Sequence, residues 1–277
     1  MPEPGRAVLQ SIHVYPVKSL AGQAPDSVVV EPWGPAGDRR WMLVDAAGTV
    51  VTQRQQPRLA LAGAEALSDG GIRLSAPGCE PLSLPVPGPA DTIGVRLFGD
   101  KIEVVPASAC AHEWFSTYLG TDVRLVHLDD PARRRAIDPR FARPGETVSL
   151  ADGYPLLVTT TASLDALNSL IAQGDHPDEG PLPMDRFRPS LVVAGAEPWA
   201  EDDWLRIAVG GIPFRVVKPC GRCVVTTTDQ LTAERGKEPL RTLARHRRVD
   251  SDLLFGQNLI PELTGVIRVG DPVHILE

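Results

Sequence analysis

Two thiols and two cations fall within six residues at Lys218-Pro219-Cys220-Gly221-Arg222-Cys223, between Val216-Val217 and Val224-Val225-Thr226-Thr227-Thr228. The β-branched runs on either side predict a turn joining two strands. A cysteine beside Lys218 and Arg222 should ionise more readily than a free thiol, and the thiolate is the form that attacks or coordinates a soft metal. A lone CxxC admits three other readings: a thioredoxin-type redox pair, half of a zinc site, or two structural cysteines.

Each rival makes demands that the remaining residues can meet or fail. Zinc wants four ligands, usually a second pair of similar spacing, but Cys79 and Cys110 are isolated. His112, His127, His176, His246 and His274 form no compact pair either, so zinc is disfavoured. A thioredoxin-like pair should open a helix whose N-terminus stabilises the thiolate, whereas Val224 to Thr228 reads as a strand. What survives is one cysteine acting as ligand or nucleophile on a loop, against two buried thiols in a core.

Length and composition narrow the setting of that loop. The chain has 277 residues, 43% hydrophobic and 23% charged, enough for two ordinary soluble domains. The start, Met1 to Arg6, lacks an apolar run, and no window approaches the roughly 18 apolar residues of a membrane span. A cytoplasmic protein without a membrane partner is expected. Four unevenly spaced cysteines make no disulfide framework, which fits a reducing compartment. The net charge of -7 disfavours nucleic acid as a partner, because phosphate binding needs a basic face. Arg133-Arg134-Arg135 and Arg245-His246-Arg247-Arg248 lie beside Asp129-Asp130 and beside Asp250 and Asp252, and read as solvated faces.

The elements that must position the loop are mostly strands. Apolar and polar residues alternate in short runs over the first hundred positions. They predict strands at Ala7 to Val17 and Ser27 to Val30, a hairpin of Arg40 to Val44 with Thr49 to Thr52, and a second of Ile93 to Leu97 with Lys101 to Val105. The Pro-rich stretch Ala76 to Pro89 cannot be a central strand, because proline lacks a ladder donor. Three helices are expected: Ala111 to Tyr118 with an apolar stripe of Trp114, Phe115, Tyr118 and Leu119; Thr161 to Ala172 behind a threonine cap; and Glu238 to Arg245. Further strands are predicted at Val123 to Leu128, Leu191 to Ala194, Leu205 to Val209, Phe214 to Val217, Gly265 to Val269 and Val273 to Leu276. No GxGxxG or GxxxxGK[ST] occurs, so dinucleotide and P-loop chemistry lack support. The expected class is α+β, mainly β, with a smaller β domain over 1–120 and a larger α+β domain over 121–277, interleaved or tightly packed.

With its flanks, the Cys220 to Cys223 loop resembles the cysteine loop of MOSC-domain proteins, the molybdenum cofactor sulfurase C-terminal family. It is similar in particular to the subgroup of the amidoxime-reducing components and their bacterial relatives. Val14-Tyr15-Pro16-Val17-Lys18-Ser19, Gly37-Asp38-Arg39-Arg40-Trp41 and Thr52-Gln53-Arg54-Gln55-Gln56-Pro57-Arg58 look like three signatures of the N-terminal MOSC β-barrel domain. Phe187-Arg188-Pro189, Phe255-Gly256-Gln257-Asn258 and Val269-Gly270-Asp271-Pro272-Val273 complete the pattern in order, over nearly the whole chain.

The resemblance implies an N-terminal MOSC β-barrel domain packed with a barrel-like MOSC domain that binds molybdenum cofactor (Mo-molybdopterin). By position Cys223 matches the family's metal ligand, and Cys220 is a neighbour. Lys18, Ser19, Arg39 and Arg188 match cofactor-contacting positions, and Gly153, Tyr154, Gly221 and Arg222 match positions lining it. Asp152 matches a family acid that could handle protons, or is a turn aspartate. The subgroup often has serine where Gly221 stands and threonine-serine where Gly153-Tyr154 stands, so backbone amides replace side-chain contacts there. The implied activity is reductive dehydroxylation of small N-hydroxylated compounds. Electrons would come from a separate ferredoxin, flavodoxin or cytochrome b5-like donor, since the sequence shows no four-cysteine ferredoxin spacing before Glu277. The alternative from another class is a sulfur carrier or cofactor-handling protein with a persulfide on Cys223.

Overall fold

The computed structural model describes residues 6–88 and 91–277. Met1 to Gly5, which carry the reading of the amino terminus, and Pro89, at the end of the Pro-rich stretch, lie outside the described residues.

Alternation of apolar and polar residues becomes sheet throughout. In Ile72–Ala76, Ile72 and Leu74 are buried while Arg73 and Ser75 are exposed, the period of a half-buried strand. The largest sheet has eight strands, running Val8–Ile12, Leu191–Ala194, Leu156–Thr160, Asp252–Pro261, Ile212–Gly221, Arg206–Val209 and Val273–Ile275, with Arg248–Val249 paired to the side. It curls back on itself: Val8 bridges Pro272, and Leu9 N donates to Asp271 O at 2.9 Å. Closure of this kind leaves few open edges. Phe214, Leu259, Ile207, Val193 and Leu9 fill its interior.

A second sheet runs Val50–Val51, Trp41–Asp45, Val123–His127, Asp100–Pro106 and Ile93–Leu97. It is a half-barrel, drawn together where Arg96 N donates to Gly48 O at 2.7 Å. Helix Ala109–Leu119 lies on it through Ala111, Phe115, Tyr118 and Leu119, and ends at Gly120 in the left-handed conformation. Helix Thr161–Ala172 matches its expected span, and Thr160 accepts from Ser163 N as the cap. The remaining expected helix is Leu240–His246. The architecture is mainly β with few helices, as the sequence predicts.

Two N-terminal strands belong spatially to the C-terminal half. Val8–Ile12 pairs with Leu191–Ala194, and Ser27–Glu31 pairs with Gly265–Arg268. The expected strand Ala7 to Val17 stops at Ile12, because beyond it the chain bends into contacts with both halves: His13 N donates to Ser190 O and Lys18 N to Trp41 O. Pro81 sits in Cys79–Leu84, the edge of a three-stranded sheet, where its missing donor does no harm.

One element differs in kind. Val224 to Thr228, expected as a strand, is a single 3-10 turn over Val224–Thr227 that begins at Cys223. The threonine hydroxyls explain it: Thr226 Oγ1 donates to Cys223 O at 2.9 Å and Thr227 Oγ1 to Val224 O at 2.8 Å. These local bonds satisfy backbone acceptors that a ladder would otherwise take.

Gly256 stands inside strand Asp252–Pro261 with φ +79, and a Cβ there would lie 2.7 Å from Val158 O on the neighbouring strand. Gly256→Ala is expected to cost about 2 kcal/mol or more. Urea unfolding checks it, as a lower midpoint at unchanged slope.

Candidate active site

A cleft of about 850 Å³, counted to its open mouth, lies where the two halves meet. All ten residues singled out from the sequence line it. Lys18 and Ser19 come from the segment crossing between sheets, and Arg39 from the turn before Trp41–Asp45. Asp152, Gly153 and Tyr154 come from the loop before Leu156–Thr160, and Arg188 follows the turn Met184–Phe187. Gly221, Arg222 and Cys223 close the ring.

Backbone strain gathers on the same wall. Among the described residues seven non-glycine positions have positive φ, and four of them, Ser19 (71), Arg39 (44), Phe98 (55) and Arg188 (51), line the cleft. Each such conformation costs on the order of 1 to 3 kcal/mol and persists only where its surroundings over-determine it.

Here the surroundings are charge and aromatic contacts. Tyr15 is buried, with the Arg39 guanidinium 4.4 Å and the Arg188 guanidinium 4.2 Å from its ring centroid. Its hydroxyl donates to Pro189 O at 3.1 Å, and burial pushes it up to about 12. Asp38, 1% exposed, accepts from Tyr15 N at 2.8 Å and from Arg39 Nη1 at 2.5 Å. Burial, with Arg39 adding repulsion, brings Arg188 down to about 10.

Lys18 is 4% exposed and donates through Nζ to Leu150 O at 2.9 Å and to Asp152. Burial lowers it to about 8 despite that carboxylate. Asp152 presents a side chain that is 71% accessible. The surrounding Lys18, Arg54 and Arg39 charges outweigh its desolvation and hold its carboxyl well below the ordinary range. It is therefore an ionised partner for Lys18 at neutral pH.

The two thiols are free, half-buried and served by different cations. Arg222 Nη1 lies 2.9 Å from Cys220 Sγ, and Arg54 Nη2 lies 3.5 Å from Cys223 Sγ. The reading of two buried core thiols therefore fails. The helical turn after Cys223 also removes the ground on which a redox pair was disfavoured, leaving the separate cationic partners as the distinction between the sulfurs. Five cations (Lys18, Arg39, Arg54, Arg188, Arg222) face one lining carboxylate, Asp152, with Asp38 behind, in a chain of net charge -7. Arg222 Nε is buried without a partner. Such a cleft can hold a dianionic group and a soft metal at one thiolate.

Sequence reasoning passed over three residues here. Arg54 stood inside the Thr52 to Arg58 segment and Asn258 inside Phe255 to Asn258, so both carried a signal. Asn258 Nδ2 donates to Lys218 O at 3.1 Å, stapling the cysteine loop. Phe98 carried none. Arg135 corrects an expectation: read as part of a solvated basic face, it is 6% exposed. Its guanidinium bonds Ser149 O at 3.1 Å, Ala151 O, and Asp152 O at 2.8 Å, while Nε pairs with Asp100 at 3.2 Å. Three carbonyls needing donors outcompete solvent for it.

Residues 6–122 match the MOSC N-terminal beta barrel domain and residues 145–274 the MOSC domain. The chain is 33% identical to mitochondrial amidoxime-reducing component 1 of Xenopus laevis, over 96% of this chain and 81% of that one. It is 33% identical to the Homo sapiens protein of the same name over 95% and 81%, and 33% to mitochondrial amidoxime reducing component 2 of Rattus norvegicus over 96% and 82%. The chain belongs to the MOSC-domain family that includes the amidoxime-reducing components.

Replacing Arg135 with Met strands the carbonyls of Ser149, Ala151 and Asp152. A loss of about 2 kcal/mol is expected, with hydrogen-exchange protection falling first over residues 149–153. Lys18 is expected to titrate near pH 8, with NMR of reductively methylated protein separating it from surface lysines near the usual ~10.4. Because its folded value lies below its unfolded one, the unfolded chain binds more protons in between, so its contribution to stability rises with pH from about 8 toward 10.5.

Proposed function

We propose that this chain is a molybdenum cofactor-dependent oxidoreductase that reduces small N-hydroxylated compounds, with Cys223 as the metal's protein ligand. The observation that carries the reading is the meeting of the Cys223 thiol with five cations on one cleft. Family membership and the names of the relatives support it. The donor set fits the group: one accessible thiol for a soft metal, excess positive charge for a phosphate, and a buried guanidinium nitrogen lacking a partner.

Bound there, the cofactor supplies two-electron cleavage of an N–O bond, R=N–OH plus two electrons and two protons giving R=NH and water. In this reading Lys18, Arg39 and Arg188 bind the phosphate, with Ser19 adding a hydroxyl. Gly153 and Gly221 bring backbone close to the pterin, and Tyr154 and Arg222 flank it. Arg54, with Nη2 3.5 Å from the Cys223 sulfur, sets a positive charge beside the ligating atom. Asp152 keeps Lys18 charged and aimed. Asp152, ionised at the accessible mouth of the cleft, is placed to take up a proton from solvent and pass it on. Electrons arrive from a separate ferredoxin, flavodoxin or cytochrome b5-like protein.

Expression in a host that makes the cofactor, followed by elemental mass spectrometry, tests the ligand. Near one molybdenum per chain is expected in the wild type, a drop of tenfold or more in Cys223→Ser, and most of the metal retained in Cys220→Ser. Equal loss from both would sink the single-ligand reading. No metal anywhere, with a persulfide on Cys223, would turn the assignment to sulfur transfer.

A further inference from the structure

Phe98 is hard to explain as a structural residue. It occupies the two-residue turn Phe98-Gly99 between Ile93–Leu97 and Asp100–Pro106, where Leu97 pairs directly with Asp100. Its φ of 55 is a conformation normally left to glycine, and glycine stands one position later. The ring adds little to any core, being 43% exposed. A bulky side chain held in a costly conformation at an exposed position needs a reason outside folding.

Its place supplies one. Phe98 lines the cleft, with Arg54 Cζ 4.6 Å and Lys18 Nζ 5.1 Å from its ring centroid. Arg54 is the same cation that reaches Cys223 Sγ at 3.5 Å, so one guanidinium spans from the ring to the sulfur. The cations draw on the ring's electron density, which favours stacking of a flat, neutral, conjugated group on its accessible part and disfavours a third cation there. N-hydroxylated amidines are flat and weakly basic, and their reduced amidine products are strongly basic cations. An aromatic surface at this spot would hold the former and release the latter.

We propose that Phe98 determines specificity: it is the aromatic wall that selects flat, conjugated N-hydroxylated compounds over compact aliphatic ones. This rests on the reductase reading above. The test uses molybdenum-loaded wild type, Phe98→Ala, Phe98→Gly and Phe98→Tyr, with N-hydroxybenzamidine and N-hydroxyacetamidine as substrates and a chemically reduced viologen as donor. The ratio of kcat/KM for the aryl substrate to that for the methyl substrate is expected to fall about 5- to 10-fold in Phe98→Ala and Phe98→Gly. It should stay near wild type in Phe98→Tyr, which keeps the ring. The Kd of N-hydroxybenzamidine on oxidised, non-turning-over enzyme should weaken by the same factor. A ratio within twofold of wild type in the alanine and glycine variants, or parallel loss on both substrates, overturns the proposal while leaving the reductase reading intact. Wild type that holds molybdenum yet reduces neither substrate overturns both.

Discussion

Two guanidinium groups on one buried tyrosine ring are the constraint from which the cleft follows. Arg39 and Arg188 both lie within 4.4 Å of the Tyr15 centroid, and one buried carboxylate, Asp38, offsets them. Burial, and to a smaller extent the repulsion of Arg39, is why Arg188 falls to about 10. The ring faces, the Tyr15 hydroxyl bond to Pro189 O and the Asp38 anchor hold them there regardless. In the proposed function these fixed guanidinium groups would meet an anion with the ordering cost already met during folding.

That arrangement needs residues far apart in sequence to be rigidly adjacent, and the interleaved strands provide this. Tyr15, Lys18 and Ser19 belong to the stretch between Val8–Ile12, which pairs into the large sheet, and Ser27–Glu31, which pairs with Gly265–Arg268. Both ends of the stretch are thus anchored in the C-terminal half, while its middle bonds to Trp41 of the half-barrel. A hinge between two independent halves would open the cleft at its most charged point. Exchange of strands removes that hinge, and Arg135 repeats the device by tying Asp100 of the half-barrel to the loop of Asp152.

What could be read from the sequence was what is local or carried by a motif. Thr161–Ala172 matched its expectation because cap and apolar period are written within a dozen residues. Of the ten cleft residues, Lys18, Ser19, Arg39 and Arg188 stand in the ordered segments and Gly221, Arg222 and Cys223 in the cysteine loop, while Asp152, Gly153 and Tyr154 were placed by the family resemblance alone. Arg135 was missed because its partners are carbonyls, which every residue has, so nothing in an arginine run announces that one member turns inward. Phe98 was missed because hairpin signals point to the glycine after it and are silent on which side chain the turn aims. Val224 to Thr228 misled for a different reason. β-branched residues favour strands through packing, but here the hydroxyls of Thr226 and Thr227 close a turn instead.

The same contrast between local and distant contacts separates the two thiols. The cation of Cys220 is Arg222, two residues along the chain and itself fixed by Phe187 O. The contact itself is local to the turn, with one bond to a neighbouring segment holding the arginine. The cation of Cys223 is Arg54, 169 residues earlier, carried in by the half-barrel and oriented against Phe98. Bringing that arginine to that sulfur depends on the docking of the two halves, so the pairing is a property of the whole architecture. The residues that share this dependence, Lys18, Arg39 and Asp152, line the same cleft as Cys223. A thiol needed only for folding or for exchange with Cys220 would have no use for them.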